Sequence, residues 1–137
     1  MITAIDTDVL LDILLPEGRF FSASSRALEQ AATKGSLAIC DLVYAELCVH
    51  FRSQSECDEF LTDTDIRVEP LSRAASFAAS RVWRAYRQAG GRRTRILADF
   101  LIGSHAQIQA SCLLSRDRGF YRSMFPSLEL QDPAGPQ

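Results

Sequence analysis

The sequence predicts an α/β fold, a three-layer sandwich with a central parallel sheet of about five short strands. Three observations carry this expectation. Ile2–Ile5, Leu37–Cys40 and Cys112–Leu114 are short apolar runs without polar alternation, the pattern of strands covered on both faces. Segments of helical periodicity lie between them. The 137 residues, 47% apolar and 23% charged, suit a single domain around one core.

The elements follow in order. Ile2–Ile5 is the first strand, and a short helix over Val9–Leu14 stops at Pro16. Ser22 or Ser24 starts a second helix that runs to Lys34 and ends at Gly35. Leu37–Cys40 is the second strand, and Asp41 is the expected N-cap of a helix over Leu42–Phe51. A helix over Ser55–Thr62 precedes a third strand, Ile66–Glu69. A long helix over Arg73–Ala89 is stopped by Gly90-Gly91, and another covers Ala98–Ala110. Cys112–Leu114 is the fourth strand, Arg118–Ser123 a helical turn and Leu128–Leu130 a fifth strand. The expected organisation is one domain over residues 1–131 and a flexible tail over residues 132–137, which is rich in Pro and Gly.

Composition narrows the function classes. The net charge of −2 provides no global positive field, so a nucleic-acid partner needs a local basic patch. Cys40, Cys48, Cys57 and Cys112 form no C-x-x-C pair and no zinc-spaced Cys/His cluster. Free thiols in a reducing cytosol are the expectation, hence a cytoplasmic protein. The N-terminus has no basic n-region, and no apolar run is long enough to span a bilayer.

Four acids stand in unexpected places. Asp6 follows the first strand directly and Asp117 follows the fourth, so both emerge at the carboxyl edge of a parallel sheet, where sites form. Glu46 falls on the apolar stripe of Leu42, Val43 and Leu47. Asp99 heads a helix face of Ile102, Gly103, Ala106 and Ala110. Three have a plain structural reading, Asp6 as a cap, Asp117 as a turn residue and Asp99 as a helix N-terminal acid; Glu46, on an apolar stripe with no obvious partner, is the hardest to explain structurally. Together, four acids from distant segments map to one end of the sheet. Grouped carboxylates repel one another unless a cation sits among them, and all-oxygen ligands point to Mg²⁺ or Mn²⁺.

The ordered stretches "IDTDVLLDIL", "DLVYAEL", "RTRILADFLIGSHA" and "LLSRDRGFY" resemble the PIN-domain ribonucleases, specifically VapC-type toxins of bacterial type II toxin–antitoxin modules. The resemblance covers most of the chain. It implies a PIN-like sandwich and a metal-dependent endoribonuclease with Asp6, Glu46, Asp99 and Asp117 as metal-site acids. It also implies an antitoxin protein as partner, RNA as substrate and a homodimer. The family commonly has Asn or Ser at the position of Asp8 and often Thr at that of Ser115. Ser115 keeps a hydroxyl to position Asp117 or a water. Asp8 is read as a helix N-cap, with an outer ligand as the alternative.

Arg92, Arg93 and Arg95 form a basic cluster before Asp99, and Arg116 and Arg118 flank Asp117. An RNA phosphate clamp over Arg92, Arg93, Arg95 and Arg116 is one reading; solvated loops or ion pairs with nearby acids are the other. His50 shares a helix face with Glu46, and His105 is expected at the surface or an interface. Phe77, Trp83 and Tyr86 are expected in core or dimer packing, and Tyr44 and Phe51 in core or a partner groove. Two other functions compete. "DTDV" resembles the signature of haloacid-dehalogenase-like phosphatases, with Asp6 as nucleophile, but the only lysine, Lys34, lies too early for that family. A catalytically silent PIN-like binding module is the third reading.

Overall fold

The computed structural model describes residues 1–135. Among them, five strands form one sheet flanked by seven helices. The strands are β1 (Ile2–Ile5), β2 (Ser36–Cys40), β3 (Ile66–Glu69), β4 (Cys112–Leu114) and β5 (Leu130–Gln131). The helices are α1 (Thr7–Ile13), α2 (Phe21–Lys34), α3 (Asp41–Cys48), α4 (Gln54–Asp63), α5 (Arg73–Gln88), α6 (Leu97–Gln109) and α7 (Arg118–Met124). This is the expected α/β sandwich.

The sheet order is β3-β2-β1-β4-β5, and every pairing is parallel. Ala4 of β1 pairs with Ala38 on one side and Leu113 on the other. The chain thus builds outward from β1 in one direction, then returns to build outward in the other. The boundary between β1 and β4 is the switch point, where a crevice opens past the carboxyl ends of the strands. β1, β2 and β4 lie in the interior, and their apolar runs are almost wholly buried. β3 exposes Arg67 and Val68, as an edge strand can.

α6 crosses this core. Phe100 and Ile102 through Ala106 are buried, so the helix is covered nearly all round. A Cβ at Gly103 would stand 2.4 Å from a ring carbon of Phe125, so only glycine allows this approach. The expected Ile102, Gly103 and Ala106 face is present. His105 corrects its expectation: it is 1% exposed, with Nε2 3.2 Å from Glu69 Oε1. Burial lowers its pKa, partly offset by Glu69. The exposed residues of its helix, Leu97, Gln107 and Ile108, lie toward the two ends, and the middle turns are buried.

Other boundaries shift for local reasons. Asp41 is the first residue of α3, and Cys40 takes the cap position without a side-chain bond. α3 ends at Cys48, short of Phe51. α2 begins at Phe21, and Ser24 donates to Asp12 at 2.6 Å instead of capping. β5 starts two residues later than expected and ends one residue later. Phe77 is 60% exposed on α5, while Trp83 and Tyr86 pack against the core. Gly90, at φ 81°, ends α5 in the left-handed region as the Gly90-Gly91 stop predicts. Of the expected tail over residues 132–137, Asp132–Gly135 form a turn closed by Gly135 N donating to Asp132 O at 3.2 Å, and residues 136 and 137 lie outside the described residues. No described helix is long and apolar enough to cross a membrane.

Candidate active site

The crevice between β1 and β4 is lined by the residues that leave those strands. β1 delivers Asp6, whose backbone N donates to Leu114 O at 2.9 Å and so locks the two strand ends together. Asp6 is the N-cap of α1, accepting from Thr7 N at 2.8 Å on Oδ1. Its Oδ2 accepts from Ser115 Oγ at 2.7 Å. The carboxylate is only 8% exposed. Burial raises its pKa most, and the nearby charge of Asp117 raises it further, against the bonds from Ser115, Thr7 and Tyr121 that lower it. Both oxygens accept one hydrogen bond each and keep further lone pairs.

β4 delivers Ser115 and Asp117. Ser115 is buried, and its hydroxyl works in two directions: it donates to Asp6 and accepts from Asp117 N at 2.9 Å. One side chain therefore sets the spacing of two acids. Asp117 stands at the start of α7. Its carboxylate is gripped by Arg95, with Nη1 2.5 Å from Oδ2 and Nη2 3.1 Å from Oδ1. Arg95 also lies over the Phe120 ring at 4.2 Å.

Asp99 and Glu46 complete the set from the flanking helices. Asp99 lies in the first turn of α6 and accepts from Ile96 N at 3.2 Å, half of a capping box. Its charge reaches both Arg95 and Tyr121. Glu46 corrects its expectation. Val43 and Leu47 are buried, but Glu46 is exposed at the margin of that stripe. Thr7 Oγ1 donates to its Oε1 at 2.6 Å, which ties it to the residue beside Asp6. A chain of contacts thus joins three of the acids, Glu46 to Thr7, Thr7 to Asp6, and Asp6 through Ser115 to Asp117, while Asp99 is linked to Arg95 by charge alone.

Asp8 does not cap α1, because Asp6 holds that position. Asp8 Oδ2 accepts from Arg116 N at 3.2 Å, and its Oδ1 is buried without a partner. Burial and the charge of Asp6 push its pKa up to about 7.

Of the expected RNA clamp, Arg92 and Arg93 are exposed. They line a groove of about 340 Å³ together with Trp83, Arg87, Arg95 and Ile96. Arg95 faces Asp117, and Arg116 is bound to Asp12 through Nε at 2.8 Å and Nη2 at 2.9 Å. Three contributors were missed by sequence reading. Asp12 is 9% exposed and also accepts from Ser24. Its signal was present, an acid inside the apolar run "LLDIL". Thr7 lies between two singled-out acids and carried no signal of its own. Tyr121 is buried against Asp6, with burial and the charges of Asp6, Asp99 and Asp117 raising its pKa. Its position four residues after Asp117 in "DRGFY" was the available clue.

The donor set is carboxylate oxygen throughout, the chemistry of a hard divalent cation. The bare Oδ1 of Asp8 and the mutual repulsion of Asp6 and Asp117 fit a cation among them. Among the described residues, no three His, Cys, Asp or Glu side chains are grouped to hold an ion as they stand. Arg95 occupies both oxygens of Asp117, so cation binding there requires it to move aside.

The sequence matches the family model of the PIN domain over residues 3–125. No protein of curated function matches it. VapBC2 from Rickettsia felis, solved bound to a DNA fragment from its promoter, superposes with a TM-score of 0.75 at 22% identity, covering 96% of this chain and 98% of that one. VapBC-1 from nontypeable Haemophilus influenzae superposes with a TM-score of 0.73 at 16% identity, covering 98% and 100%. VapC20 from Mycobacterium tuberculosis, described as a sarcin–ricin loop cleaving toxin, gives a TM-score of 0.58 at 13% identity, covering 81% and 86%. At these identities the likeness is one of fold.

Proposed function

The chain belongs to the PIN-domain family, and from that premise we propose that it is a metal-dependent endoribonuclease, the VapC-type toxin of a toxin–antitoxin pair. The observation that carries the reading is the Asp6–Ser115–Asp117 linkage at the β1/β4 crevice, with Asp99 and Glu46 tied to it. Ser115 Oγ joins the Asp6 carboxylate to the Asp117 backbone, and Oδ1 of neighbouring Asp8 is buried without a partner.

In this reading Asp6, Asp99 and Asp117 hold Mg²⁺ or Mn²⁺. A divalent cation held there supplies activation of the attacking water and stabilisation of the in-line displacement at an RNA phosphodiester. The chain's own residues do the rest. Ser115 keeps Asp6 oriented and keeps its pKa from rising further. Glu46, exposed and anchored by Thr7, either completes the cage or orients the water. Arg92 and Arg93 offer free-standing positive charge to backbone phosphates, and Trp83 in the same groove offers a surface beside them. An antitoxin protein would bind over the crevice and block it. Exposed apolar side chains such as Phe77 on α5 support a homodimer or another protein contact.

The test is cleavage of an RNA panel in Mg²⁺ or Mn²⁺, comparing the wild type with Asp6→Asn and Asp99→Asn. Loss of at least about 100-fold in rate is expected for each variant, with chelation abolishing wild-type cleavage. Equal behaviour of wild type and variants would remove the nuclease reading and favour a silent binding module.

A further inference from the structure

Cys48 and Cys57 face each other where α3 and α4 meet, with their sulfurs 3.5 Å apart. Cys48 is half-buried at the end of α3, and Cys57 is fully buried on α4. Neither thiol has a part in the proposed hydrolysis. The surroundings hold the pair in register. Tyr44 Oη donates to Asp58 Oδ1 at 2.7 Å, the Phe51 and Phe60 rings stand 5.7 Å apart, and Arg52 N donates to Glu56 Oε2 at 3.3 Å. The other two cysteines have no such relation. Cys40 and Cys112 lie on β2 and β4 with β1 between them, so roughly 10 Å of sheet separates them, beyond disulfide reach.

A disulfide bond is about 2.05 Å long, so the two sulfurs need approach by only about 1.5 Å, within reach of small rotamer changes. We propose that Cys48 and Cys57 are a redox-active thiol pair that a low-molecular-weight disulfide, of the glutathione class, converts to an intramolecular bond pinning α3 to α4. Cys48 is the residue that meets the oxidant, because Cys57 is sealed from solvent. The Cys48 thiolate attacks one sulfur of the oxidant, forming a mixed disulfide and expelling one glutathione thiolate. Cys57 Sγ then attacks the Cys48 sulfur, gives up its proton to water, and expels the second glutathione. Two electrons pass from the protein to the oxidant, and the two protein thiol protons end on the two released glutathiones. Burial and the neighbouring Cys48 push the Cys57 thiol up to about 12, which keeps it protonated until the mixed disulfide is beside it. Proximity compensates for its low thiolate fraction.

The bond would fix the last turn of the helix that carries Glu46, two positions before Cys48. It also closes a short loop, Val49–Glu56, and so restrains the unfolded chain.

The full chain is incubated with oxidised and reduced glutathione at defined ratios, quenched, denatured and alkylated. Intact mass and peptide mapping then count the remaining thiols. The expected result is loss of two of the four thiols per chain in an oxidising ratio, with a single Cys48–Cys57 linked peptide. The melting temperature should rise by on the order of 5 °C and return on addition of dithiothreitol. Cys57→Ser should stop at a glutathione adduct on Cys48, and Cys48→Ser should take up none. A lasting adduct on wild-type Cys48, a linkage between chains, a different pairing or four unreacted thiols would each overturn the proposal. These readouts do not depend on nuclease activity.

Discussion

Arg95 closes on Asp117 with both of its terminal nitrogens, at 2.5 and 3.1 Å, and so occupies a candidate acid whose charge is felt at Asp6. The guanidinium carbon lies 4.2 Å from the centre of the Phe120 ring, a cation–π contact that helps hold it in place. This arginine neutralises part of the negative charge at the crevice.

Replacing Arg95 therefore separates two effects. Both partners are about one-third exposed, so the ion pair contributes only about 0.5–1 kcal/mol to stability, and Arg95→Ala should cost no more than that. The same change removes a competitor for Asp117. Calorimetric titration should show Mn²⁺ binding tightened by roughly two- to fivefold, the equivalent of that energy. Weaker Mn²⁺ binding in Arg95→Ala would mean that the arginine organises the site instead of competing for it.

Asp8 gives the apo protein a defined pH dependence. Its pKa rises from 3.8 to about 7 on folding. Between those values the folded chain keeps a proton that the unfolded chain has lost, so stability falls as pH rises through the window, by at most about 1.4 kcal/mol per pH unit for one group. Asp6, also raised, acts in the same direction. Urea midpoints measured in chelator from pH 4 to pH 8 should decline more steeply in the wild type than in Asp8→Asn. Parallel curves would show that Asp8 ionises without penalty.

Ser115→Ala removes a donor to Asp6 and an acceptor for Asp117 N, both in a buried setting. The expected loss is about 1–3 kcal/mol by chemical denaturation. The serine bond also holds the Asp6 pKa down, so its loss should move the acid limb of the cleavage profile to higher pH. Ser115→Thr keeps the hydroxyl and should restore both properties. A destabilised Ser115→Ala with an unmoved pH profile would reduce the residue to a structural role.

Asp12 anchors the other side of the same loop. It receives two bonds from Arg116 and one from Ser24, while Arg116 sits 3.9 Å above the Phe20 ring and its backbone N reaches Asp8. Asp12→Ala leaves a partly buried guanidinium and a buried hydroxyl without their acceptor, at a cost of about 2–4 kcal/mol. The double variant Asp12→Ala/Arg116→Ala should lose less than the two single variants added together. Additive losses in denaturant titrations would show that the two side chains act independently.

Legibility in the sequence follows the range of the interactions. Asp6 and Asp117 were readable because each directly follows an apolar run that only a two-sided strand explains. Asp99 was readable from the small-residue face behind it. Glu46 was half readable: its helix was correct, but a stripe judged from a short helix placed it inward when it lies on the rim. Asp12 was overlooked because its partner Arg116 is 104 residues away. His105 was misplaced because the middle of α6, from Ile102 to Ala106, is buried at every position, which periodicity does not reveal.

By itself the sequence determined the elements, the fold class and the strand-end acids, because burial on one or both faces writes a local pattern into composition and spacing. Only the tertiary structure decided the pairings: Arg95 with Asp117, Arg116 with Asp12, Ser115 between the Asp6 carboxylate and the Asp117 backbone, and Cys48 against Cys57. Those contacts depend on which strand ends and helix termini are brought side by side. That is a property of chain topology, and it has no periodic signature along the chain.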